Sequence, residues 1–335
     1  MAGNKHRIFY IDLLRVIAII GIIYSHVAVQ FLDRHTVLLQ NMFVGSAALF
    51  FMTSGALIFP IRRPGPFLTR RLCSYVPEWI IFSVLYATLL YNADPNTYML
   101  TKHLTWMAVV PTFPEAWFLY TLTGLYLVAP MVSVWLEHTS RRQIEWFLAA
   151  WLASGFVPMI GVHAPIDISQ SYFAPFFGYL GYMVAGHYLH RWPLRQRSKR
   201  FRIAFLAATA LLGIAYALRA FVTAWRWDFA TIMSSDLSVN VMAICLLYFA
   251  AAQLLTGYST HNEHVATTVG KPSAIHTVIT LVSTATLGIY LCQPGMLQFV
   301  VQPLGWTLWP TVGAVLVLSA AAGIVLHQLR RRIRF

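Results

Sequence analysis

Apolar runs of about 20 residues, the length a helix needs to cross a bilayer, recur along this chain. They fall at roughly 7–31, 42–61, 72–91, 116–136, 144–161, 171–190, 201–223, 236–255, 277–301 and 307–328. Few folds are open to such a pattern. In lipid every backbone polar group must be paired internally, and runs of this length do that as helices. Composition agrees, because only 10% of the residues are charged and 58% are hydrophobic, whereas a soluble domain carries about 25% charged residues. The expected fold is all-α: a polytopic membrane bundle of about ten transmembrane helices, forming a single membrane-embedded domain over 1–335 with no repeat or low-complexity tract. The cysteines, Cys73, Cys245 and Cys292, have neither metal nor redox spacing, so neither a metal site nor a disulfide framework is expected. The first apolar run is too long for the h-region of a cleavable signal.

The net charge of +13 raises the question of nucleic acid, but the basic residues sit in short clusters between apolar runs. That distribution marks sidedness and predicts no nucleic-acid partner. Of the 24 Lys and Arg residues, nineteen fall in one set of connections. Arg34, Lys102, Arg219 and Arg226 fall in the other, and Arg15 lies inside a run. The excess of positive charge then places both termini in the cytoplasm. Trp117, Trp225, Trp306 and Trp309 fall at predicted outer ends, and Trp135 and Trp192 at inner ends, as an aromatic belt requires. The connection at about 92–115 is read as an interfacial cap.

The first run, FYIDLLRVIAIIGIIYSHVAVQF (9–31), carries Asp12, Arg15 and His26. Ionisable groups at membrane depth are costly and by default face a protein interior or a wet cavity. At about 100° per residue, Arg15 and His26 lie within roughly 20° of one another, and Asp12 within roughly 40° of His26. Along the axis they separate. His26 lies about 16 Å beyond Arg15 and about 21 Å beyond Asp12. Asp12–Arg15 therefore reads as one site and His26 as another; the bland alternative is a snorkelling arginine with an i,i+3 partner and a satisfied core histidine.

Other runs add candidates. Ser54-Gly55 suits close helix packing. Arg70 and Arg71, at the cytoplasmic mouth of the third run, serve either as a topology anchor or as a phosphate clamp. Glu115 stands at the outer end of the fourth run beside Trp117, close to the expected depth of His26. Tyr290 and Gln293 occupy the outer half of the ninth, just before Pro294. His187, His190, His261, His264 and His327 read as solvated interfacial residues.

With these residues in place, the chain resembles the acyltransferase-3 family of polytopic membrane O-acyltransferases, almost end to end. The resemblance rests on YIDLLRVIAIIGIIYSHV, LFFMTSGALIF, FLTRRLCSYVPEW, WFLYTLTGLYLVAP, FFGYLGYMVAGHYL and STATLGIYLCQP in that order. It implies the short branch without an appended extracytoplasmic domain, in the bacterial cytoplasmic (inner) membrane. It also implies transfer of an acyl, typically acetyl, group from acyl-CoA to hydroxyls of cell-envelope sugars. The family often has a histidine where this chain has Glu115 and another where it has Gln293. Its Arg-x-x-Arg element is incomplete here, because Cys73 follows Arg70 and Ser74 follows Arg71 three places on.

The combined expectation is as follows. Asp12, Arg15, Arg70 and Arg71 serve the acyl-CoA co-substrate, and His26 is the general base, with Glu115 accepting a hydrogen bond from it or steering the acceptor. Ser25, Trp117, Tyr290 and Gln293 are oxyanion or acceptor candidates. Membrane lipid and an envelope glycan are the expected partners, no metal is used, and nothing specifies an oligomeric state. A histidyl-acyl intermediate is the lesser variant. Two rivals stand beside this reading: a secondary transporter or flippase of an anionic or sugar-linked substrate, and a non-catalytic assembly or sensing subunit.

Overall fold

The computed structural model describes residues 7–31, 34–93, 100–107, 109–157, 178–225, 236–258 and 274–333. Parts of the predicted runs at 144–161 and 171–190 lie outside these residues, as do Arg226, His261, His264 and Lys271. Among the described residues there is no strand. The helices are α1 (Phe9–Ala28), α2 (Arg34–Phe43), α3 (Ser46–Ile58), α4 (Pro64–Leu72), α5 (Val76–Ala93), α6 (Leu100–Trp106) and α7 (Trp117–His138). They continue as α8 (Arg141–Ser154), α9 (Leu180–Arg191), α10 (Lys199–Trp225), α11 (Val239–Leu255), α12 (Ala274–Gly295) and α13 (Leu308–Ile333). Every one of the predicted apolar runs contains a helix. Among the described residues, five stretches combine the length and apolarity needed to cross a membrane: Phe9–Phe31, Pro64–Ala93, Pro114–His138, Ala274–Leu304 and Leu308–Arg330. The protein is a helical membrane protein. Its long helices expose Ile81, Leu127, Met131 and Val317, an apolar exterior suited to lipid.

Local breaks have identifiable causes. Between α4 and α5 the helix lapses into a turn at Cys73–Tyr75, because Pro77 lacks the N–H that would bond Cys73 and its ring crowds that carbonyl. Ser140 starts α8 with a reciprocal capping box to Gln143, satisfying two orphan donors of the first turn. Pro294 lies inside α12, and a π-helical segment, Met296–Val301, follows it. Around that proline the Tyr86 hydroxyl donates to the Leu291 carbonyl (2.6 Å) and accepts from the Gly295 N–H (3.0 Å). In a regular helix those two groups would pair directly. A side chain inserted into the ladder is a known cause of a helix bend.

Helix α1 lies at the centre. Other parts of the protein bury 61% of its most apolar stretch, against 22% to 39% for the other four long stretches. It packs on α12, α3, α2, α13 and α11. Two contacts fix its direction relative to α12: Asp12 meets Ser283 near the start of α1, and His26 meets Gln293 near its end. The two helices therefore run parallel. Helices α3 and α9 are parallel as well, since Phe51 meets Tyr179 and Phe59 meets His187. Their close approach rests on glycine: a Cβ at Gly55 would lie 1.9 Å from the Met183 carbonyl oxygen, and one at Gly186 2.0 Å from that of Met52. The packing role expected for Gly55 is thus realised, with the backbone of α9 as the facing surface.

Candidate active site

Two cavities open among the arginines. The larger, about 840 Å³, is lined by α1, α3, α4, α7, α12 and α13 together with the turn between α4 and α5. Arg7, Asp12, Arg15, Arg71, His327 and Arg330 line it, and Phe118 and Tyr290 belong to its wall on α7 and α12. The second, about 750 Å³, is lined by Arg62, Arg63, Arg70 and Arg71. Leu57, Arg71 and Ser74 are common to both. Arg15 and Arg71 thus share one cavity, while Arg70 lies in the neighbouring one.

Charge pairing separates these arginines. Arg7 holds Asp12 through two hydrogen bonds (3.0 and 2.7 Å), and Arg330 pairs with Glu78 at 3.2 Å. The Arg15 and Arg71 guanidinium groups form no ion pair among the described residues. Arg71 instead stands 5.8 Å from the ring centroids of both Phe67 and Tyr126. A cation within a span normally finds a partner. Arg15 and Arg71 thus bring two guanidiniums without an ion pair, among the described residues, to one cavity.

Asp12 departs from the i,i+3 pairing of the bland alternative. Only 4% exposed, it binds Arg7 and accepts from the Ser283 hydroxyl at 2.6 Å, and no ion pair joins it to Arg15 among the described residues. The i,i+3 spacing permitted Asp12–Arg15, but a chelating partner five residues earlier and a hydroxyl on α12 occupy the carboxylate. It fastens the start of α1 to α12 at the edge of the cavity.

Toward the other end of α1, the half-buried His26 has its Nδ1 2.6 Å from the Gln293 amide Nε2. No hydrogen bond joins it to Glu115 among the described residues, so the expected bond gives way to one across α1 and α12. The Glu115 carboxylate is near enough for its charge to act on His26. Tyr290 donates to the main-chain carbonyl of Glu115, so its one O–H proton is engaged and it ties α12 to the start of α7. The Ser25 hydroxyl is buried and has no hydrogen-bond partner among the described residues. Trp117 packs against Tyr179 with ring centroids 5.5 Å apart, and the Tyr179 hydroxyl donates to Asp236 at 3.3 Å.

A family model described as an acyltransferase domain, that of the acyltransferase-3 family, matches residues 8–328. The chain belongs to this family. It is a membrane acyltransferase. No curated protein and no solved structure matches the chain. In this acyltransferase Arg62 and Arg63, two of the nineteen basic residues that mark sidedness, also line the second cavity, and the spacing Arg62-Arg63…Arg70-Arg71 is the sequence signal for that shared basic cavity. Tyr86 and Asp236 carried no signal, since each acts across helices. The reading of His187 and His190 as solvated needs correction. His187 is 5% exposed and edge-on to Phe59. His190 is bound by the Tyr10 and Tyr258 hydroxyls at 2.7 and 3.0 Å. Side chains from neighbouring helices cover these ends, which a helix-by-helix reading cannot foresee.

Proposed function

We propose that this acyltransferase moves an acyl group, acetyl being the simplest, from cytoplasmic acyl-CoA to a hydroxyl of a cell-envelope sugar. The observation that carries the reading is the pair of guanidiniums, Arg15 and Arg71, that form no ion pair among the described residues and share a cavity extending to Tyr290. Tyr290 is one helical turn from Gln293 and its partner His26. CoA phosphates supply the missing charge, and arginine's planar fork suits them. Arg62, Arg63 and Arg70 in the adjoining cavity offer further cations to the nucleotide end. Because α1 is a continuous helix, Arg15 and His26 stand about 16 Å apart along its axis. An extended pantetheine arm spans a comparable distance, bringing the thioester toward His26 with its nucleotide still held at the arginines.

In this mechanism His26 Nε2 takes the proton of the acceptor hydroxyl as its oxygen attacks the thioester carbonyl. The tetrahedral intermediate collapses with cleavage of the carbon–sulfur bond. The imidazolium returns the proton to the departing thiolate, leaving acylated sugar and CoA-SH. Ser25, with its unused hydroxyl, is a donor available to the developing oxyanion. Trp117 and Tyr179 form an aromatic wall for a sugar face, ending on Asp236. Asp12 supports the donor site by holding α1 in register with α12.

The test uses purified protein in lipid discs with acetyl-CoA and a panel of envelope oligosaccharides, reading CoA thiol release and acyl transfer by mass. Release that requires one acceptor class supports the reading. Failure of acetyl-CoA and longer acyl-CoAs to bind or react with any acceptor would overturn it.

A further inference from the structure

The contact between Gln293 and His26 has a chemical consequence beyond proximity. A neutral imidazole carries one proton, and its position is set by whatever the other nitrogen meets. For His26 that is the Gln293 amide, 2.6 Å from Nδ1 and the ring's one hydrogen-bond partner among the described residues. With the amide N–H facing Nδ1, the ring proton resides on Nε2, and the nitrogen left for substrate is a donor. With the amide oxygen facing Nδ1, the proton resides there and Nε2 has a free lone pair. Only the second arrangement suits a base. It also suits the imidazolium, which carries N–H on both nitrogens and would meet the amide N–H donor to donor in the first.

Two observations bear on whether the amide can take that arrangement. Gln293 is fully buried, and its Oε1 has no hydrogen-bond partner among the described residues. A half-turn of the amide exchanges two ends of similar shape, and no existing bond to Oε1 is lost. The backbone, by contrast, is held firmly in place. Leu291 and Gly295 flank Gln293 and are bridged by the Tyr86 hydroxyl, and a Cβ at Gly295 would lie 2.9 Å from that hydroxyl. The side chain is thus anchored against His26 while its terminal amide keeps a choice of end.

We propose that Gln293 is the positioning residue that selects the tautomer of His26, its amide oxygen accepting the Nδ1 proton so that Nε2 stands free as the base. The inference rests on the acyl-transfer reading for its catalytic consequence. Through the cycle Nδ1–H stays bound to the amide oxygen. The acceptor proton arrives on Nε2 and leaves from it to the CoA thiolate, so Gln293 gains and loses no proton.

The test pairs nitrogen-15 NMR of histidine-labelled protein in lipid discs, with the His26 signals assigned by their loss in His26→Ala, with steady-state kinetics. Wild type is expected to show protonated Nδ1 and bare Nε2. Gln293→Leu, which removes the acceptor, should shift the pattern toward Nε2–H and lower kcat by about tenfold or more, the direction seen when a catalytic histidine is left in the wrong tautomer, with KM for acyl-CoA unchanged. Gln293→Glu offers only acceptor oxygens and should keep the Nδ1–H pattern and most of kcat; it also keeps the test open if the leucine variant fails to insert. Protonated Nε2 in wild type, or a Gln293→Leu protein with unaltered signals and kcat, would overturn the proposal. The NMR arm needs no turnover. A wild-type protein that transfers no acyl group would sink the function while leaving the tautomer assignment to be judged on its own.

Discussion

Replacing Arg15 with methionine should move stability and donor affinity in opposite directions. Methionine keeps the length and apolar stem while deleting the charge. Arg15 lies one-third of the way along α1, lines the larger cavity and forms no ion pair among the described residues. An uncompensated guanidinium in low-dielectric surroundings is a cost to the empty protein, and well-packed apolar replacements of buried charges are commonly neutral or stabilising by about 1–4 kcal/mol. Arg15→Met without ligand should therefore unfold at a higher temperature, by about 2 °C or more. With acyl-CoA the sign reverses. A hydrogen bond to a charged phosphate contributes about 1.5–3 kcal/mol, so losing it should weaken acyl-CoA binding about 10- to 150-fold. The contrast is Arg7→Met. It strips a buried carboxylate of its partner and should destabilise the empty protein by about 2–3 kcal/mol, toward the low end for a broken pair, because the Arg7 side chain keeps 43% of its surface exposed. The assays are thermal unfolding in detergent with and without CoA, and isothermal titration with acetyl-CoA. An Arg15→Met protein that unfolds earlier yet binds acyl-CoA as wild type does would refute the reasoning and make Arg15 a structural group.

Four further outcomes are expected. His26→Ala should insert normally and lose about 10²–10⁴ in kcat, the range for a missing general base; wild-type turnover in this variant would end the proposed chemistry. Glu115→Gln should reduce kcat/KM by about threefold to tenfold, the weight of a nearby charge without a hydrogen bond, and full activity would leave Glu115 only its favourable place at the start of α7. Gly55→Ala should cost about 1–3 kcal/mol, read as a lower unfolding temperature, since its Cβ meets the Met183 backbone at 1.9 Å and the helices must part; an unchanged midpoint would show that α3 and α9 slide freely. Reporters fused after Phe335 and inserted within 92–115 should report opposite sides of the membrane, and a shared side would remove the proposed cytoplasmic donor entrance.

The helices were legible because length and apolarity are properties of a single segment. Each predicted run holds a helix, and the parallel directions of α1 with α12 and of α3 with α9 match odd-with-odd and even-with-even runs in the order read from the chain. Side-chain partners were less legible. Helical periodicity specifies which residues share a face, but not which neighbour that face meets. Asp12 and Arg15 were correctly placed on one face, yet Asp12 is held by Arg7 and by Ser283 on α12. His26 was correctly separated from both, but its partner came from α12 and not from Glu115.

The level at which α12 supplies that partner is also where its backbone departs from a regular helix. Asp12 and His26 are separated by about 21 Å along α1, while Ser283 and Gln293 are only about 15 Å apart along an ideal α12. Two parallel helices with unequal spacing can meet at both levels only if side chains reach, axes tilt or one helix is loosened. Here α12 contains Pro294, admits the Tyr86 hydroxyl between Leu291 and Gly295, and widens into a π-helical segment at Met296. Each of these breaks a local rule of helix stability, and all three cluster within one turn of the residue that touches His26. Irregular backbone at such a depth is tolerated where protein surrounds it, and Gln293 and Cys292 are both buried. The irregularity thus sits at the level where Gln293 meets the imidazole, and side-chain reach and tilt of the axes make up the difference in spacing.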